Sequence, residues 1–211
     1  MKDEIKHAQL NKEKWDKWAS SYDSNNWRNK YLRDAQSKLV SYLDVKDNVR
    51  FLDLGCGTGW AIGETAKLVG NKGEFYGVDL SEKMIEKAKS NFRGRDNFHF
   101  IEASAESIPL NNNFFDIIIC TNSFHHYLHP DKVLKEIYRL LKKGGKIYIL
   151  DPTADSWIIK IIDKIIKLAE PEHVKLYSTK EFRLMFEKAQ LKYSIAPQTF
   201  QAASKVHIGE K

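Results

Sequence analysis

The stretch Phe51-Leu-Asp-Leu-Gly-Cys-Gly-Thr-Gly59 constrains the fold of this chain more than any other feature. Residues typical of a buried strand lead into three glycines spaced two apart, and a helical pattern begins at Trp60. A strand, a glycine-rich turn and a helix in this order place backbone N–H groups at the carboxyl edge of a sheet, where open α/β folds bind ligands. The turn is therefore the first candidate binding site.

The spacing of the glycines does not favour a dinucleotide. A dinucleotide site has the pattern G-x-G-x-x-G, whose third glycine lets helix and strand pack closely. Trp60 occupies that third position here. Asp53 precedes the turn, and a carboxylate there repels a pyrophosphate but attracts a cation. A ligand with an ammonium, a sulfonium and a ribose but no phosphate fits better, and S-adenosylmethionine has these groups.

The segment Asp53-Leu-Gly-Cys-Gly-Thr-Gly59 resembles the cofactor loop of the class I S-adenosylmethionine-dependent methyltransferases. The stretch from Asp116 to Asp151 is similar, in order and spacing, to small-molecule methyltransferases of the ubiquinone- and menaquinone-biosynthesis type. The resemblance implies an α/β, Rossmann-like fold with a doubly wound seven-stranded sheet, mostly parallel with an antiparallel terminal strand. N-terminal helices and a small helical cap complete it. The cofactor contacts implied in the loop are Asp53, Gly55, Cys56, Gly57 and Gly59.

Strands and helices alternate from Val49 onward, which is typical of a parallel sheet covered on both faces. The predicted strands are 49–54, 74–78, 98–102, 114–120 and 146–150, followed by an antiparallel pair at 191–196 and 200–208. The predicted helices are 3–22, 31–43, 59–69, 82–92, 130–141, 154–170 and 179–189. Ser81 is predicted to cap the helix after strand two, and Lys142-Lys-Gly-Gly145 to close the helix that Pro130 opens.

The length of 211 residues favours a single methyltransferase domain with four parts. These are an N-terminal helical lid (1–47), a cofactor-binding core (48–151), a helical cap (152–177) and a C-terminal helix with antiparallel strands (178–211). The charged N-terminus lacks the apolar segment of a signal peptide, and the apolar runs are too short to span a bilayer. Cys56 and Cys120 offer no disulfide framework, so we expect a cytoplasmic protein.

Residues after the second and third strands are predicted to complete the cofactor site. Asp79 lies about 20 residues beyond the glycines, where an acidic residue accepts from ribose hydroxyls. Because Ser81 already supplies the helix cap, we interpret Asp79 as the ribose ligand, with Leu80 beside it. The family commonly has an Asp-Ala-Glu triplet after strand three, whose aspartate accepts from the adenine amino group. This chain has Ser104, Ala105 and Glu106 there, so the resemblance implies an adenine contact with a hydroxyl in place of the carboxylate.

Aromatic residues of the first helix are candidates for a lid. Trp15, Trp18 and Tyr22 share one face by their spacing, and we interpret Trp15 as docking the helix on the core. In the family a similar aromatic segment folds over the cofactor pocket, which makes Trp18 and Tyr22 lid residues by resemblance. Thr121, at the carboxyl end of strand four, is also predicted to contact the cofactor.

Methyl transfer from a sulfonium is an in-line displacement of an activated leaving group, so catalysis consists mainly of alignment and exclusion of water. A base is needed only when the nucleophile must lose a proton. His125 and His126, in the loop after strand four, are the candidate catalytic residues, although a structural role in the loop stays open. Tyr127 and Asp151 are further candidates to contact the acceptor. Adjacent histidines point apart and no carboxylate triad accompanies them, so no metal site is predicted.

The loop after strand four also bears on the methyl acceptor. It lacks the Asn-Pro-Pro-Tyr motif that similar enzymes use for planar amino groups, because Ser-Phe follows Asn122. Two cysteines are too few for arsenite methylation. The net charge is +6, but the lysines recur at helical intervals typical of solvated faces, so a nucleic acid is not expected. A small, hydrophobic or aromatic acceptor remains.

The helix 154–170 has more than one interpretation. Its apolar face consists of Ile158, Ile161, Ile162, Ile165 and Leu168, and its polar face of Lys160, Asp163, Lys164 and Lys167. The preferred interpretation is that the apolar face packs over the sheet edge. The alternatives are a cap on the acceptor side or a weak membrane-surface contact through 156–169.

Three other functions stay open. A nucleotide-dependent oxidoreductase is disfavoured by Trp60 and Asp53. A non-catalytic module that keeps the cofactor fold, and an RNA methyltransferase, are the other two. The sequence does not predict an oligomeric state.

Overall fold

The structure is a computed structural model that describes residues 2–22, 27–197 and 203–211. Its helices are α1 (Lys2–Ala19), α2 (Trp27–Tyr42), α3 (Trp60–Leu68), α4 (Glu82–Asn91), α5 (Pro130–Leu140), α6 (Trp157–Ala169) and α7 (Thr179–Lys188). Its strands are β1 (Val49–Leu54), β2 (Gly73–Asp79), β3 (Phe98–Glu102), β4 (Phe115–Thr121), β5 (Leu141–Pro152), β6 (Lys192–Ile195) and β7 (Ser204–Glu210).

The strands form one seven-stranded sheet in the order β3-β2-β1-β4-β5-β7-β6. The first five strands of that order pair in parallel, whereas β7 runs antiparallel to both of its neighbours. The predicted Rossmann-like, doubly wound fold is confirmed. The strand order reverses between β1 and β4, and ligands of such sheets bind in the crevice outside the carboxyl ends of the strands at this reversal.

Two hydrophobic layers cover the sheet, because successive strand residues point to opposite faces. Phe51 contributes to the layer that includes α2, α3 and α4. Leu52 and Leu54 contribute to the layer that includes α5 and α7. The whole of β4 is buried except for Asp116, as expected for a strand in the middle of a covered sheet.

Helix α4 follows the predicted pattern closely. The side chain of Ser81 accepts a hydrogen bond from the backbone N–H of Met84 at 3.1 Å, so it is the N-cap. Met84, Ile85 and Ala88 are buried. Helix α7 also begins at one of the two predicted caps, Ser178, which forms a reciprocal capping box with Glu181.

The predicted end of α5 is wrong. The helix stops at Leu140, and Leu141 already has extended backbone and pairs with Phe115 as the first residue of β5. The C-terminal carbonyls of the helix accept from the N–H groups of Asn113 and Phe114, so no glycine cap is needed. The segment 142–145 therefore belongs to a strand that is longer than the predicted 146–150.

The other differences concern boundaries. Helix α1 ends at Ala19 rather than 22, and α2 begins at Trp27 rather than 31. Strand β7 begins at Ser204, and the first part of the predicted strand 200–208 lies outside the described residues.

The preferred interpretation of α6 is also wrong. None of its residues is buried, and its apolar face is turned to solvent, with Trp157 72% and Leu168 86% exposed. Asp163 lies on the side facing the protein, where its carboxylate is 2.6 Å from Nε2 of His173 and accepts from the backbone N–H of Leu176 at 2.8 Å. These contacts hold the helix with its predicted apolar face, from Ile158 to Leu168, outward. Within the described residues, no helix has the length and apolar character needed to cross a membrane.

Candidate active site

A cavity lies at the carboxyl ends of β1, β2 and β4, where the strand order reverses. The sheet side of the cavity is formed by the glycine turn and by residues that follow β2, β3 and β4. The opposite side is formed by α1 and the residues after it. The predicted site residues that line it are Gly55, Gly57, Asp79, Leu80, Ala105, Thr121, Tyr22 and His126.

The glycine turn is held by hydrogen bonds inside the protein. The N–H groups of Gly55 and Cys56 donate to the carbonyl of Val78 at 2.8 and 3.1 Å, and the N–H of Gly59 donates to the carbonyl of Cys56 at 3.0 Å. The N–H of Gly57 donates to the carboxylate of Asp79 at 2.9 Å. These four donors are therefore already used, so the turn is not arranged to bind a phosphate.

Glycine is required at Gly55 by both conformation and space. Its φ is 76°, in the left-handed region, and a Cβ atom there would lie 2.3 Å from Oγ of Ser123. At Gly57, with φ 51°, a Cβ would face the ring of Tyr22 at 3.4 Å. Tyr22 thus lies against the turn, and its role as a lid residue stays a prediction. Gly59 and the buried Cys56 support the turn from outside the cavity lining.

Asp53 is buried, with 1% exposure, and neither oxygen of its carboxylate has a hydrogen-bond partner among the described residues. Burial, with a contribution from the charge of Asp79, raises the pKa of Asp53 from 3.8 to about 8. A buried acceptor without a donor is destabilising. The side-chain N–H group of Asn122, which lines the cavity, is also buried and unpaired within the same ranges. The pair thus comprises one unpaired donor in the cavity lining, Asn122, and one unpaired acceptor group, Asp53, which is buried in β1 and is not among the lining residues.

Asp79 has two roles in the structure. It lines the cavity, and its two carboxylate oxygens accept from the N–H groups of Gly57 and Ser81, both at 2.9 Å. Burial raises the pKa of Asp79, and hydrogen bonds from Ser81, Gly57 and Leu80 oppose that shift. A carboxylate has about four acceptor positions, so these backbone contacts leave room for hydroxyl groups of a ligand.

The segment predicted to contact adenine is divided between two cavities. Ala105 lines the main cavity, as does Ala103 before it. Oγ of Ser104 instead accepts from the N–H of Glu106 at 3.2 Å, and Glu106 pairs with Lys132 at 3.3 Å. Ser104 and Glu106 line only the neighbouring shallow cavity.

Helix α1 covers the cavity, and its tryptophans are arranged differently from the prediction. Trp15 lines the cavity and packs edge-on against the ring of His126, with 5.4 Å between ring centroids. Trp15 therefore both docks the helix on the body of the protein, as expected, and lines the cavity, whereas Trp18, the predicted lid residue, is not among the lining residues. Asn11, one turn before Trp15 on the same face, also lines the cavity. The sequence analysis missed it, although continuing the aromatic stripe backwards would have found it.

Ionic and polar contacts of α1 reach both sides of the cavity. On the cofactor side, Asp16 accepts from Oγ of Ser81 at 2.6 Å. On the other side, Lys14 forms ion pairs with Glu170 and Glu172, which follow α6. The helix therefore bridges the cofactor side and the segment after α6.

The two predicted catalytic histidines occupy different surroundings. His126 lines the cavity, and burial, together with His125, lowers the pKa of His126 to about 2, so its ring is neutral at pH 7. His125 is not among the lining residues. Its Nδ1 lies 2.8 Å from Oδ1 of Asp151, and its backbone N–H donates to the other oxygen at 2.9 Å. The aspartate thus fixes both the ring and the backbone of His125.

A third histidine, His173, lies beside this pair and was not identified from the sequence. It is buried, and its ring centroid is 5.4 Å from that of His125 and 6.1 Å from that of His126. The segment after α6 brings it there, and the backbone N–H groups of Val174 and Lys175 donate to the carbonyl of His125. No local pattern indicates such a contact between distant segments.

The fold is an open α/β sheet with a cavity where the strand order reverses, which is where such folds bind ligands. Comparison with known proteins assigns the chain to a family with this fold. A family model described as a methyltransferase domain matches residues 45–193. This is more than half of the chain, so the chain belongs to the methyltransferase domain family.

Individual relatives agree with this assignment. A Bacillus subtilis (strain 168) protein named uncharacterized methyltransferase YcgJ is 33% identical over 159 residues, covering 74% of this chain and 62% of that protein. The demethylmenaquinone methyltransferase of Lactobacillus johnsonii is 33% identical over 156 residues, covering 72% and 58%. This chain thus spans about three fifths of the length of these two relatives.

Solved structures show the same fold. The crystal structure of YcgJ from Bacillus subtilis has a TM-score of 0.69 and 28% identity, covering 76% of this chain and 69% of that one. A SAM-dependent methyltransferase from Aquifex aeolicus has a TM-score of 0.71 at 24% identity, covering 92% and 98%.

Proposed function

We propose that this chain is an S-adenosylmethionine-dependent methyltransferase that acts on a small, hydrophobic or aromatic acceptor. The observation that carries the proposal is the pair of buried, unpaired groups at the turn. The carboxylate of Asp53 lacks a donor and the amide N–H group of Asn122 lacks an acceptor in the described part of the chain. The ammonium and carboxylate of an amino-acid moiety would complement them.

The turn itself supports a ligand without phosphate. The N–H groups of Gly55, Cys56, Gly57 and Gly59 are bonded within the protein, and two buried carboxylates, Asp53 and Asp79, stand beside them. A pyrophosphate would find these donors already used and would lie beside two acidic side chains that offer it no hydrogen-bond donor from the turn. This arrangement argues against a nucleotide-dependent oxidoreductase.

Each part of the cavity has a role in this proposal. Asp79 holds the ribose hydroxyls, Ala105 and Leu80 border the base, and Tyr22 covers the turn. Bound S-adenosylmethionine supplies a methyl group on a sulfonium, which is already activated for displacement. The protein aligns the acceptor and excludes water. Trp15 of α1 covers His126, and Tyr22, which follows α1, covers Gly57.

We propose that His126 and Tyr127 orient the acceptor rather than remove a proton from it. Both line the cavity. The neutral, weakly basic ring of His126 can hydrogen-bond to an acceptor but holds a proton poorly. His125 has a carboxylate partner but lies outside the cavity lining, so we assign it to positioning the loop through Asp151.

Ligand binding tests the cofactor assignment. Calorimetry with S-adenosylhomocysteine is expected to give micromolar binding, and NAD is expected to give none. Retention of NAD in place of S-adenosylhomocysteine would contradict the proposal. Transfer of a labelled methyl group to quinols and phenols then tests the acceptor class. Tight binding without transfer across such a panel would favour a non-catalytic module.

We also propose that α6 rests on an anionic membrane surface. Its solvent-facing apolar side includes Ile161, Ile165 and Leu168, with Trp157 at one end. Lys160, Lys164 and Lys167 are exposed along one edge of that side. An exposed apolar face flanked by lysines matches the interface of a bilayer that contains anionic lipids. Such a position would give the site access to an apolar acceptor dissolved in the membrane.

Vesicle flotation tests this contact. The protein is expected to float with vesicles that contain phosphatidylglycerol, less with pure phosphatidylcholine, and less again at high salt. Ile161→Glu should abolish flotation, whereas the control Leu184→Glu, at an exposed leucine of α7, should not. Equal flotation of both variants would contradict the proposal. A dimer in solution that Ile161→Glu dissociates would instead assign the face to a second copy of the chain.

A further inference from the structure

Three histidines from two distant segments converge beside the cavity. His125 and His126 belong to the short 3-10 turn Phe124–His126 after β4, and His173 follows α6. One ring nitrogen from each lies within 4.8 Å of those from the other two. His126 and His173 are buried, and His125 is mostly so. Such a group of imidazoles is a possible ligand set for a metal ion, which the sequence analysis did not predict.

Each ring is held by a hydrogen bond through one nitrogen only. Nδ1 of His125 lies 2.8 Å from Asp151, and Nε2 of His173 lies 2.6 Å from Asp163. Nδ1 of His126 lies 3.3 Å from the backbone carbonyl of Glu172. Histidines that bind metals usually donate their second ring N–H to a carboxylate or a carbonyl, which fixes the tautomer and the orientation of the ring.

The tautomers that these contacts require leave three lone pairs. When a neutral imidazole donates through one nitrogen, the other nitrogen is an acceptor. The acceptors are then Nε2 of His125, Nε2 of His126 and Nδ1 of His173. Within the described ranges these three nitrogens have no hydrogen-bond partner. A purely structural cluster of histidines would not need three acceptor nitrogens without donors.

The local charge favours a cation. The carboxylates of Asp151 and Asp163 contact two of the rings, and Asp151 is 1% exposed. The nearby Lys14 is already paired with Glu170 and Glu172. Two carboxylates therefore contact the cluster directly, while the charge of Lys14 is already balanced by Glu170 and Glu172, and a buried metal ion would be compensated.

We propose that His125, His126 and His173 form a three-histidine site for a divalent transition-metal ion of the Zn²⁺ type. Imidazole nitrogens are preferred ligands of Zn²⁺, Co²⁺ and Ni²⁺. With metal–nitrogen distances of about 2.0–2.1 Å, ligand nitrogens of a tetrahedral site lie about 3.3 Å apart. The ligand nitrogens, which lie within 4.8 Å of one another, would therefore have to approach by up to about 1.5 Å to bind an ion. Three protein ligands leave a fourth position for water or another small oxygen ligand.

The site would add a direct link between parts of the molecule that already meet through hydrogen bonds and ring contacts. His125 and His126 are attached to β4, and Asp151 lies in β5. His173 and Asp163 belong to the segment that carries α6. An ion bound to all three histidines would fix this segment to the sheet. A bound ion would occupy Nε2 of His126, because Nδ1 already contacts the carbonyl of Glu172. In the metal-loaded protein Tyr127 alone would therefore orient the methyl acceptor, and the metal-binding test does not involve the acceptor.

Cobalt titration of the full chain, without a histidine tag and stripped with a chelator, tests the proposal. One equivalent of Co²⁺ is expected to give the intense visible absorption of a tetrahedral complex, and Zn²⁺ should displace it. His173→Asn should abolish this spectrum. The matched control His99→Asn removes a half-buried histidine that pairs with Glu74 far from the cluster, and it should leave the spectrum unchanged.

Two further variants keep the test decisive if His173→Asn does not fold. His173→Cys retains a metal ligand and should add a sulfur-to-cobalt charge-transfer band. Asp163→Asn keeps all three rings but removes the orienting carboxylate, so the affinity should fall about 10–100-fold. Absence of a tetrahedral spectrum in the parent protein would overturn the proposal. So would a spectrum that His173→Cys leaves unchanged, or one that His99→Asn abolishes.

Discussion

The two sides of the cavity are built in different ways. On the cofactor side, the turn at 53–59 and Asp79 are joined mainly by backbone hydrogen bonds, and glycines with positive φ set the shape. On the side of the histidines, the rings of His125 and His173 contact carboxylates from β5 and α6, and the ring of His126 contacts the backbone carbonyl of Glu172. Backbone geometry is encoded by local residue type, whereas side-chain clusters depend on how distant segments pack. We therefore expect single substitutions in the glycine turn to weaken cofactor binding. Substitutions in the histidine cluster should leave cofactor binding unchanged.

The largest expected effect is at the glycine turn. Gly55→Ala would place a Cβ 2.3 Å from Oγ of Ser123 at a positive φ, and overpacking of this kind costs about 1–3 kcal/mol beyond the backbone strain. We expect cofactor affinity to fall at least about 100-fold and the melting temperature to decrease. Calorimetry and thermal unfolding measure the two effects.

Gly94→Ala is the matched control for this substitution. Gly94 has nearly the same φ, 78°, but no atom lies within 4 Å of the position its Cβ would take. It should lower stability slightly and leave cofactor affinity unchanged. Equal loss of affinity in both variants would mean that backbone strain, and not the shape of the turn, limits binding.

A smaller effect is expected at Asp79. Asp79→Ala should weaken S-adenosylhomocysteine binding by about 1.5–3 kcal/mol, the range for hydrogen bonds to a charged group. Asp79→Asn keeps the shape and should lose less, because its amide oxygen still accepts. Asp96→Ala, at an exposed aspartate before β3, is the control. Unchanged affinity in Asp79→Ala would remove this residue from the ligand site.

The pH dependence of binding should be more modest and should arise from Asp53. Its pKa of about 8, raised by burial, means that Asp53 is mostly protonated at neutral pH before a ligand binds. A cationic ligand favours the ionised form, so affinity should rise with pH up to about 8, by at most about tenfold per unit. Calorimetry in buffers with different ionisation enthalpies should detect release of close to one proton. Asp53→Asn should release none.

The raised pKa of Asp53 also makes the free energy of unfolding depend on pH. Between the usual pKa of 3.8 and about 8 the folded protein binds more protons at Asp53 than the unfolded chain does. The contribution of this group to the free energy of unfolding therefore falls as the pH rises through that window. Between pH 5 and pH 8 the stability of the parent should therefore fall relative to that of Asp53→Asn, which denaturant unfolding measures. A constant difference would contradict the raised pKa.

The smallest effect on cofactor affinity is expected on the acceptor side. His125→Ala removes the ring contact with Asp151 and should lower turnover, while S-adenosylhomocysteine affinity stays within about twofold of the parent. Binding and methyl-transfer assays on the same preparation make the comparison. A loss of cofactor affinity in His125→Ala as large as that in Asp79→Ala would show that the two sides of the cavity are energetically coupled. It would contradict the expected independence of cofactor binding from the histidine cluster.

Features that local sequence determines could be predicted, whereas features that depend on contacts between distant segments could not. The limits of β1 and β3, the Ser81 cap and the position of Tyr22 against the turn were predicted, because local spacing or family resemblance determines them. The outward apolar face of α6 was not, because it depends on Asp163 binding His173 and Leu176. His173 itself has no local pattern that marks it.

Some details of the cofactor side also depended on longer-range contacts. Trp15 lines the cavity because the ring of His126 lies against it. Ser104 turns away because its hydroxyl accepts from the backbone of Glu106. Neither contact can be read from helical or strand periodicity.

A crystal structure with S-adenosylhomocysteine tests the central claim most directly. We expect the nucleoside to bind in the cavity beside the glycine turn. Its ribose hydroxyls should contact Asp79, and its amino-acid end should lie between Asp53 and Asn122. A ligand bound elsewhere, or a pyrophosphate compound seated on the turn, would contradict it.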